Sequence, residues 1–217
     1  MALRTSVEQA ANNALAAWLT TQLASVDDGV SIEPRWPDPD KTLPEKAISI
    51  ITAGPRQLEF CDPKPLGPGV LSSGNLYTYQ WHYAEVVQPI QLDVWCQYDV
   101  QRDDLVARLD DALNSGAAGL GQTNIDPVSG DLILALSSAD GWGNSNANFV
   151  FGSCQLTDTA DNAQQAIYRA TYRGEAQVSM SVLSTVAQLT KVIFELRASI
   201  TGVPAATGPF IQFSTDN

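Results

Sequence analysis

The sequence predicts an α+β fold built from two amphipathic helices and a mainly antiparallel sheet. Apolar residues recur at helical spacing in two segments, one near the N-terminus and one ending near residue 114. Between these segments, residues 77–98 alternate with the period of two that is typical of strands. The link that interrupts this alternation is too short for a crossover, so the strands on either side of it are expected to be antiparallel.

Length and charge limit the classes of function. The chain has 217 residues, with 12 basic and 24 acidic side chains and a formal net charge of −12. A chain of this length buries roughly 70% of its unfolded surface, so it needs no disulfides or metals to hold a core. Its basic residues are scattered, so a phosphate backbone is repelled and tight nucleic-acid binding is disfavoured. An acidic wall nevertheless lets DNA pass without sticking.

The cysteines and the apolar runs indicate where the protein resides. Cys61, Cys96 and Cys154 are odd in number and lack CxxC spacing, which favours neither a disulfide framework nor a zinc site. Cys96 is expected to be a small buried apolar residue. No signal peptide and no run long enough to span a membrane is found in the sequence. We therefore expect a soluble protein of a reducing cytoplasm that needs no metal and no cofactor.

Residues 5–25 are predicted to form the first helix. Thr5 and Glu8 have the spacing of a capping box, and Asp27-Asp28-Gly29 supplies the stop. The stripe has to be buried, most economically against a sheet. Its apolar members are Val7, Ala11, Ala14, Leu15, Trp18, Leu19 and Leu23.

Residues 33–75 combine short strands with irregular segments. Four prolines exclude regular structure from 33–45, and β-forming runs follow at Ala47–Thr52 and Arg56–Phe60. The segment Cys61–Asn75 is rich in Gly, Pro and Ser and has no periodicity. It is therefore predicted to be a long exposed loop, of a kind that is often functional.

The strongest strand signal lies between Leu76 and Tyr98. Two strands are predicted here, joined as an antiparallel pair at Gln88-Pro89. The aromatic stripe of the first strand is expected to pack in the core, with a protein–protein contact as the alternative. Stacking on bases is disfavoured because no basic groove accompanies the aromatic residues. The first stripe consists of Tyr77, Tyr79, Trp81 and Tyr83, and the second of Ile90, Leu92, Val94, Cys96 and Tyr98.

The second helix is predicted from about Val100 to Asn114, with Asp99 as its N-cap. Its charged residues, Arg102 and Asp103 among them, are expected to face solvent. A glycine-rich connection, a short strand at Leu132–Leu136 and a further loop follow. The apolar stripe of the helix consists of Leu105, Val106, Leu109, Ala112 and Leu113.

Two late strands are predicted at Val150–Thr157 and Ala166–Met180, with Gly174 as a bulge in the second. After Met180 the pattern fits both a helix and a strand; a strand at 190–198 is favoured, followed by a flexible or docking tail. The chain is accordingly divided into one α+β domain, residues 1–180, and a C-terminal extension, residues 181–217.

No catalytic constellation is found in the sequence. His82 is the only histidine, and with Cys96 or Asp93 it could form a nucleophile–base pair across neighbouring strands. A hydrolase using His82 is thus the alternative from a different class, although an outward polar role for this histidine is favoured. Paired carboxylates lie where solvated surface is expected, and the glycines at 116, 119 and 121 lack the lysine of a phosphate-binding loop. The prediction is a non-catalytic protein.

The order of elements resembles that of the tail terminator proteins of tailed bacteriophages, also called neck or tail-completion proteins. The likeness covers residues 5–180 by element order. It is closest at Pro89–Asn114, where the strand QPIQLDVWCQYD runs into the helix QRDDLVARLDDALN. The late strand with the sequence YRATYRGE is a second point of likeness.

The resemblance implies an α+β fold with helices on one face of an antiparallel sheet, and a structural role in the virion at the head–tail junction. Members of the family form a sixfold ring that caps the tail tube, ends its polymerisation and joins the head connector. The implied partners are further copies of the chain, the tail-tube protein and the connector, with DNA passing through the ring without specific binding. Synthesis would take place in the host bacterial cytoplasm.

Another phage connector, such as a head completion or stopper protein, or a tail-tube-like subunit is the structural alternative. In either case subunits are expected to meet through strand edges or through the loop Cys61–Asn75. Six residues are the predicted contacts with neighbouring subunits or partners: Arg56, Lys64, Trp95, Arg102, Asp103 and Trp142.

Overall fold

The computed structural model describes residues 5–24, 29–35, 44–73, 76–113, 124, 129–160, 166–187, 192–193 and 212–213. Side chains are not described at 24, 72–73, 158–160, 166–167, 186–187, 192–193 and 212–213. The elements in chain order are α1 (Val7–Ala24), β1 (Val30–Glu33), β2 (Lys46–Thr52), β3 (Gln57–Pro65), β4 (Val70–Ser73), β5 (Leu76–Cys96), α2 (Asp99–Leu113), β6 (Leu132–Ala135), β7 (Asn146–Ala160), β8 (Ala166–Ala187), β9 (Val192–Ile193) and β10 (Gln212–Phe213).

The fold is α+β, as predicted. In the described residues, β1 to β8 form one mixed sheet with the order β1-β2-β5-β8-β7-β6, and β3 and β4 pair with β5 on the side that β2 also occupies. Only the β1–β2 pairing is parallel within this sheet. The strands β9 and β10 pair with each other. The long strands β5 and β8 run side by side over almost their whole length, which makes them the axis of the sheet.

Both helices pack on the same face of the sheet and share one apolar core with it. Leu15 and Leu19 of α1, and Leu105 and Leu109 of α2, are at most 1% exposed. Burying one such leucine contributes about 1.5–3 kcal/mol. The predicted apolar stripes of the two helices are therefore confirmed as the faces that hold them on the sheet.

The starts of the helices differ slightly from the prediction, since α1 begins at Val7 and α2 begins at Asp99. The Ser6 hydroxyl, not that of Thr5, caps α1, because Ser6 Oγ accepts a hydrogen bond from the Gln9 amide at 3.2 Å. Thr5 instead donates its hydroxyl to Asp140 Oδ1 at 3.0 Å and so ties the helix start to a distant turn. In α2, Asp99 is the first helical residue, and its carboxylate accepts from the Val100 amide at 2.8 Å.

The predicted strand pair between Leu76 and Tyr98 is wrong, because β5 is one continuous strand that passes through Pro89. A proline has no amide hydrogen and normally breaks a central ladder. Pro89 O accepts from the Ala53 amide at 2.8 Å, so the Pro89 nitrogen faces the corner between β2 and β3. Since that corner has no ladder partner for residue 89, the missing donor costs nothing there.

The change of phase in the apolar pattern is a β-bulge, not a turn. His82 pairs with Ser181 and Ala84 pairs with Met180, so Tyr83 is the extra residue of β5. In β5, the odd-numbered residues before the bulge lie on the face of the sheet that the helices cover. After the bulge, the even-numbered residues lie on that face. One strand therefore carries both phases of the period-two pattern.

The predicted loop Cys61–Asn75 contains regular structure. β3 continues to Pro65 and β4 spans Val70–Ser73, and both pair with β5, interrupted by a shift of register after Phe60. Gly69 is required beside Tyr79, because an added Cβ would lie 2.5 Å from Tyr79 Cζ. The prolines and glycines that suggested a loop thus mark register shifts and a close ring contact.

The late strands form the antiparallel pair β7–β8, but the bulge lies on β7 at Gly152, opposite Gly174 and Arg173. Gly174 leaves space for it, since an added Cβ would meet the Val150 carbonyl oxygen at 2.3 Å. β8 continues to Ala187, across the predicted domain boundary after Met180. Of the strand favoured at 190–198, the structure describes only β9. Residues 161–165, which include part of the polar turn predicted at Asp158–Asn162, and most of 115–130 lie outside the described residues.

Candidate interaction surface

Beyond Ala84 the sheet continues as an arm, which we define as Cys61–Ser73, Leu76–Tyr83 and Ser181–Ala187. The arm begins where the pairing between β7 and β8 stops. Asn146, the first residue of β7, pairs with Ser179, and the residues of β8 after Ser179 have no partner on β7. From there β5 is flanked by β3 and β4 on one side and by β8 on the other. Among the arm side chains that the structure describes, only that of Ser181 is buried.

Large apolar side chains lie exposed along this arm and at its base. Soluble monomers rarely expose contiguous apolar patches larger than a few hundred Å². The exposed fractions here run from 39% to 75%, and such residues are more concentrated on the arm than elsewhere in the described chain. They are Leu58 and Phe60 at the base and Leu66, Val70, Leu71, Leu76, Val182 and Leu183 on the arm itself.

One face of the arm is aromatic and continues the face of the sheet that the helices cover. Tyr77, Tyr79 and Trp81 lie half-buried on it, and the Tyr79 and Trp81 rings are 6.1 Å apart at an angle of 44°. Leu71 and Val182 flank this row across the neighbouring strands. The expectation that the aromatic stripe packs in the core is wrong, because these aromatic residues are only half-buried and none belongs to the apolar core that the helices share with the sheet.

The opposite face of the arm is polar near the globular part. Gln80 Nε2 donates to Ser181 Oγ at 2.8 Å and to the Asn144 carbonyl at 2.7 Å. The Ser181 hydroxyl also donates to the Asn144 carbonyl, and the Ser181 amide donates to Ser145 Oγ at 3.2 Å. These bonds clamp the base of the arm to the turn before β7, so the arm has a defined direction.

The structure places His82 far from Cys96 and Asp93, the two residues that the sequence suggested as its partners. His82 and Cys96 lie on the same strand, fourteen positions and on the order of 40 Å apart. Asp93 is fully buried and already accepts hydrogen bonds from Arg169 and Thr171. Neither residue can therefore meet His82, whose half-buried side chain lies on the arm opposite Lys64.

Asp93 is the centre of a polar network on the face of the sheet opposite the helices. Its carboxylate accepts from Arg169 Nε at 3.1 Å and Nη2 at 2.7 Å, from Thr171 Oγ1 at 2.7 Å and from Gln91 Nε2 at 2.8 Å. The Arg169 guanidinium also lies 4.6 Å from the centre of the Trp95 ring. Trp95 is thus bound within its own subunit by a cation–π contact.

The other predicted contact residues lie in different surroundings. Arg102 is 6% exposed, lies 5.6 Å from the Tyr168 ring and pairs with Asp103, so the expectation that it faces solvent is wrong. Trp142 is 9% exposed and donates its indole N–H to the Thr5 carbonyl at 2.9 Å.

The predicted contact residues Arg56, Lys64 and Asp103 lie at the surface. Arg56 pairs with Glu8 at 2.5 Å, Lys64 lies exposed on the arm, and Asp103 is exposed beside Arg102. The structure does not bring the six predicted residues together, and of the six only Lys64 lies on the apolar arm. The arm does include residues 61–73 of the segment that was predicted to join subunits, although these residues form strands and not a loop. The signal for this surface was the presence of three large apolar residues, Leu66, Val70 and Leu71, within the supposed loop.

A cavity of about 450 Å³ lies between α2 and the β7–β8 pair. Tyr172 donates its hydroxyl to Asp110 Oδ1 at 2.9 Å there, and burial together with this carboxylate raises the pKa of Tyr172 far above its ordinary value. Burial likewise raises the pKa of the Cys154 thiol. A thiol with a raised pKa is a poor nucleophile, and a tyrosine held protonated is a poor base.

The remaining observations add no assigned site. In the described ranges, no three His, Cys, Asp or Glu side chains are grouped so that they could hold a metal ion. Neither α1 nor α2 is long and apolar enough to cross a membrane. The chain matches no model of a known protein family and no curated protein sequence. The arm is therefore the feature from which a function has to be argued.

Proposed function

We propose that this protein is a structural subunit of a ring at the head–tail junction of a tailed bacteriophage. In this role it caps the tail tube, ends the polymerisation of the tube and joins it to the head connector. The observation that carries the proposal is the exposed apolar arm, since a concentration of exposed apolar side chains marks a site of interaction, most often with another protein.

The size of the apolar surface fits a specific assembly contact. A large apolar side chain has on the order of 200 Å² of accessible surface, so eight of them at 39–75% exposure present several hundred Å², divided between the two faces of the arm and its base. Stable protein–protein interfaces bury about 800 Å² from each partner. The arm, with its half-buried tyrosines and tryptophan, has the composition that interface cores favour.

Two further features support a ring through which DNA passes. The net charge of −12 repels a phosphate backbone, which lets a polyanion move past the protein without binding it. The element order resembles that of tail terminators at Pro89–Asn114 and in the strand from Ala166 onward. In the described structure that corner is formed by the end of β5, which runs directly into α2.

The first test is the mass and symmetry of the particle. We expect native mass measurement and electron-microscopic class averages of the purified chain, alone and mixed with the tail-tube protein, to show a sixfold ring. A strictly monomeric particle at high concentration that binds neither the tube nor the connector would overturn the proposal.

The second test separates a terminator from another connector or a tail-tube-like subunit. Phage particles assembled without this chain are examined by electron microscopy. Overlong tubes support a terminator, whereas tails of normal length without heads would assign the chain to the connector instead. Absence of tubes altogether would assign it to the tube.

A further inference from the structure

We propose that neighbouring copies of this chain join through the edges of their arms, with β8 of one copy pairing in parallel with β4 of the next. The inference rests on the proposed function in requiring a ring, but it requires no phage partner. It commits to one occupant of the apolar arm, a second copy of the same chain.

Among the described residues, the outer edge of β8 has backbone groups that no strand pairs with beyond Ser179, and these groups point away from the neighbouring strand β5. The Ser181 amide donates to Ser145 Oγ, which lies on the β7 side of β8. Peptide groups alternate in direction along a strand, so the amides of Leu183 and Thr185 point to the same side. No strand of the described residues pairs with β8 on that side beyond Ser179.

The outer edge of β4 can be oriented in the same way. The Leu66 amide donates to the Gln80 carbonyl at 2.8 Å, so the peptide groups of Gln80 and Thr78 point toward β3 and β4. Val70 is the register partner of Thr78 and therefore points inward, which directs the amide of Leu71 outward. Within the described chain, no strand other than β5 pairs with β4.

The two edges lie level with each other and run in the same direction. Thr78 of β5 has Val70 on one side and Thr185 on the other, so both edges occupy one row of the arm. β4 and β8 are each antiparallel to β5 and hence parallel to one another. A rotation that brings the β8 edge of one copy against the β4 edge of the next can be repeated, as a head-to-tail contact in a closed ring requires.

Charge identifies the arm as the part where copies of this acidic chain can approach. Its 28 residues contain only two ionised side chains, Asp62 and Lys64, whose charges cancel, whereas the whole chain carries −12. Nucleic acid or an acidic membrane would need a basic surface instead. Neither edge segment, VLSS of β4 or VLSTVA of β8, contains the lysine or proline by which exposed strand edges usually avoid pairing.

Proline substitutions at outward-pointing amides test each edge separately. Thr185→Pro removes a donor from the β8 edge, and Leu71→Pro removes one from the β4 edge, while each leaves the ladder to β5 intact. We expect each variant alone to be monomeric by native mass measurement. An equimolar mixture is expected to give a dimer with one copy of each, because only one productive pair of edges remains. Thr185→Ala and Leu71→Ala are the matched controls and should assemble as the unaltered chain does.

The other possible results of the proline test separate the edge contact from the proposed ring. A dimer formed by Leu71→Pro alone would assign the contact to two β8 edges related by a twofold axis and overturn the head-to-tail arrangement. Rings of full size from both proline variants would overturn the edge contact and leave the proposed ring intact. A monomeric unaltered chain that also fails to assemble on the tail tube would overturn both proposals.

A cross-link keeps the inference testable if a proline variant fails to fold. Cysteines are placed at Val70 and Thr185 in a chain that also carries Cys61→Ser and Cys154→Ser. Paired strands bring such positions within the 4.4–6.8 Å Cα separation that a disulfide accepts. We expect oxidation to give a ladder of covalent oligomers that ends at the ring size, and none from Thr185→Cys alone. Absence of the ladder in assembled rings would refute the pairing.

Discussion

At the scale of single residues, the polar groups that the sequence distributes without visible order are used to fasten the fold. Asp93 is fully buried on the face opposite the helices and collects donors from three side chains. Trp142 binds the Thr5 carbonyl across most of the chain length. Such partners cannot be inferred from spacing, because Asp93 and Arg169 are 76 residues apart.

The Asp93 network is expected to be a large contributor to stability. Replacing Asp93 with Ala leaves the Arg169 guanidinium without its carboxylate, which should lower the free energy of unfolding by about 3 kcal/mol in urea titrations. Asp93→Asn keeps the shape of the side chain and should cost less. Glu33→Gln, which breaks an exposed pair with Arg35, is the control and should cost under about 1 kcal/mol. A loss for Asp93→Ala as small as that of the control would contradict this assignment.

Glu8 predicts a specific dependence of stability on pH. Burial raises the pKa of its carboxyl, but hydrogen bonds from its own amide, from Arg56 and from Ser6, and the Arg56 charge, outweigh burial and hold the pKa below its ordinary value. A carboxyl with a lowered pKa stabilises the fold above its unfolded pKa and loses that contribution as the pH falls through the folded value.

We therefore expect Glu8→Gln to lower the free energy of unfolding at pH 7 by about 0.5 kcal/mol. The difference from the unaltered chain should shrink below about pH 4.3 and vanish in stronger acid. Chemical unfolding of both proteins at a series of pH values measures it. A difference that grows on acidification would show that the sign is wrong.

At the scale of elements, β5 decides the architecture. The C-terminal half of β5 pairs with β2 and lies under the helices, whereas its N-terminal half pairs with β3 and β4. The strand β8 pairs with both halves. The bulge at Tyr83 changes which side chains face the helix side without ending the strand. One long strand thus transmits the orientation of the globular part to the arm.

Pro89 is expected to be tolerated because its nitrogen faces the corner between β2 and β3. Pro89→Ala should change the free energy of unfolding by less than about 1 kcal/mol. Gln91 points to the same side but pairs with Ile51 in the ladder, so Gln91→Pro should cost about 3 kcal/mol or more. Gln91→Ala controls for the lost side chain. Equal costs for the two proline positions would contradict the direction assigned to Pro89.

The elements that the sequence predicted well are those with a long, uninterrupted period. Both helices, β2 and the β7–β8 pair lie where expected. The wrong predictions lie in two kinds of segment. In one, the period-two pattern of a single strand changes phase part-way along; in the other, glycine and proline allow close packing within strands and do not mark a loop. β5 looked like two strands because a bulge and a turn interrupt alternation in the same way. β1 was not predicted, since four residues are too few to show a period.

At the scale of the whole molecule, charge and apolar surface are separated. The arm is neutral and apolar, whereas most charged side chains lie on the globular part, including the exposed acidic residues of α2. Copies of such a molecule repel one another at long range and attract through the arm at contact.

This separation predicts that assembly strengthens with salt. Raising the ionic strength from about 0.01 M to 0.15 M shortens the Debye length from about 30 Å to about 8 Å and should shift monomers toward rings at a fixed protein concentration. Light scattering coupled to size exclusion measures the shift, and Thr185→Pro should show none. Association that weakens as salt rises would contradict the proposed arm contact, because ion pairs would then dominate the interface.

The sequence by itself determined the α+β class, the two helices with their buried stripes, and the acidity that disfavours nucleic-acid binding. Local periodicity and net charge are enough for these properties, because they depend on residues close in the chain or on composition alone. Only the tertiary structure decided that Leu76–Cys96 is one strand, that Arg102 and Trp142 are buried, and that the supposed loop is an apolar arm. Those properties depend on which distant strand lies beside each residue, and pairing over such separations leaves no local pattern.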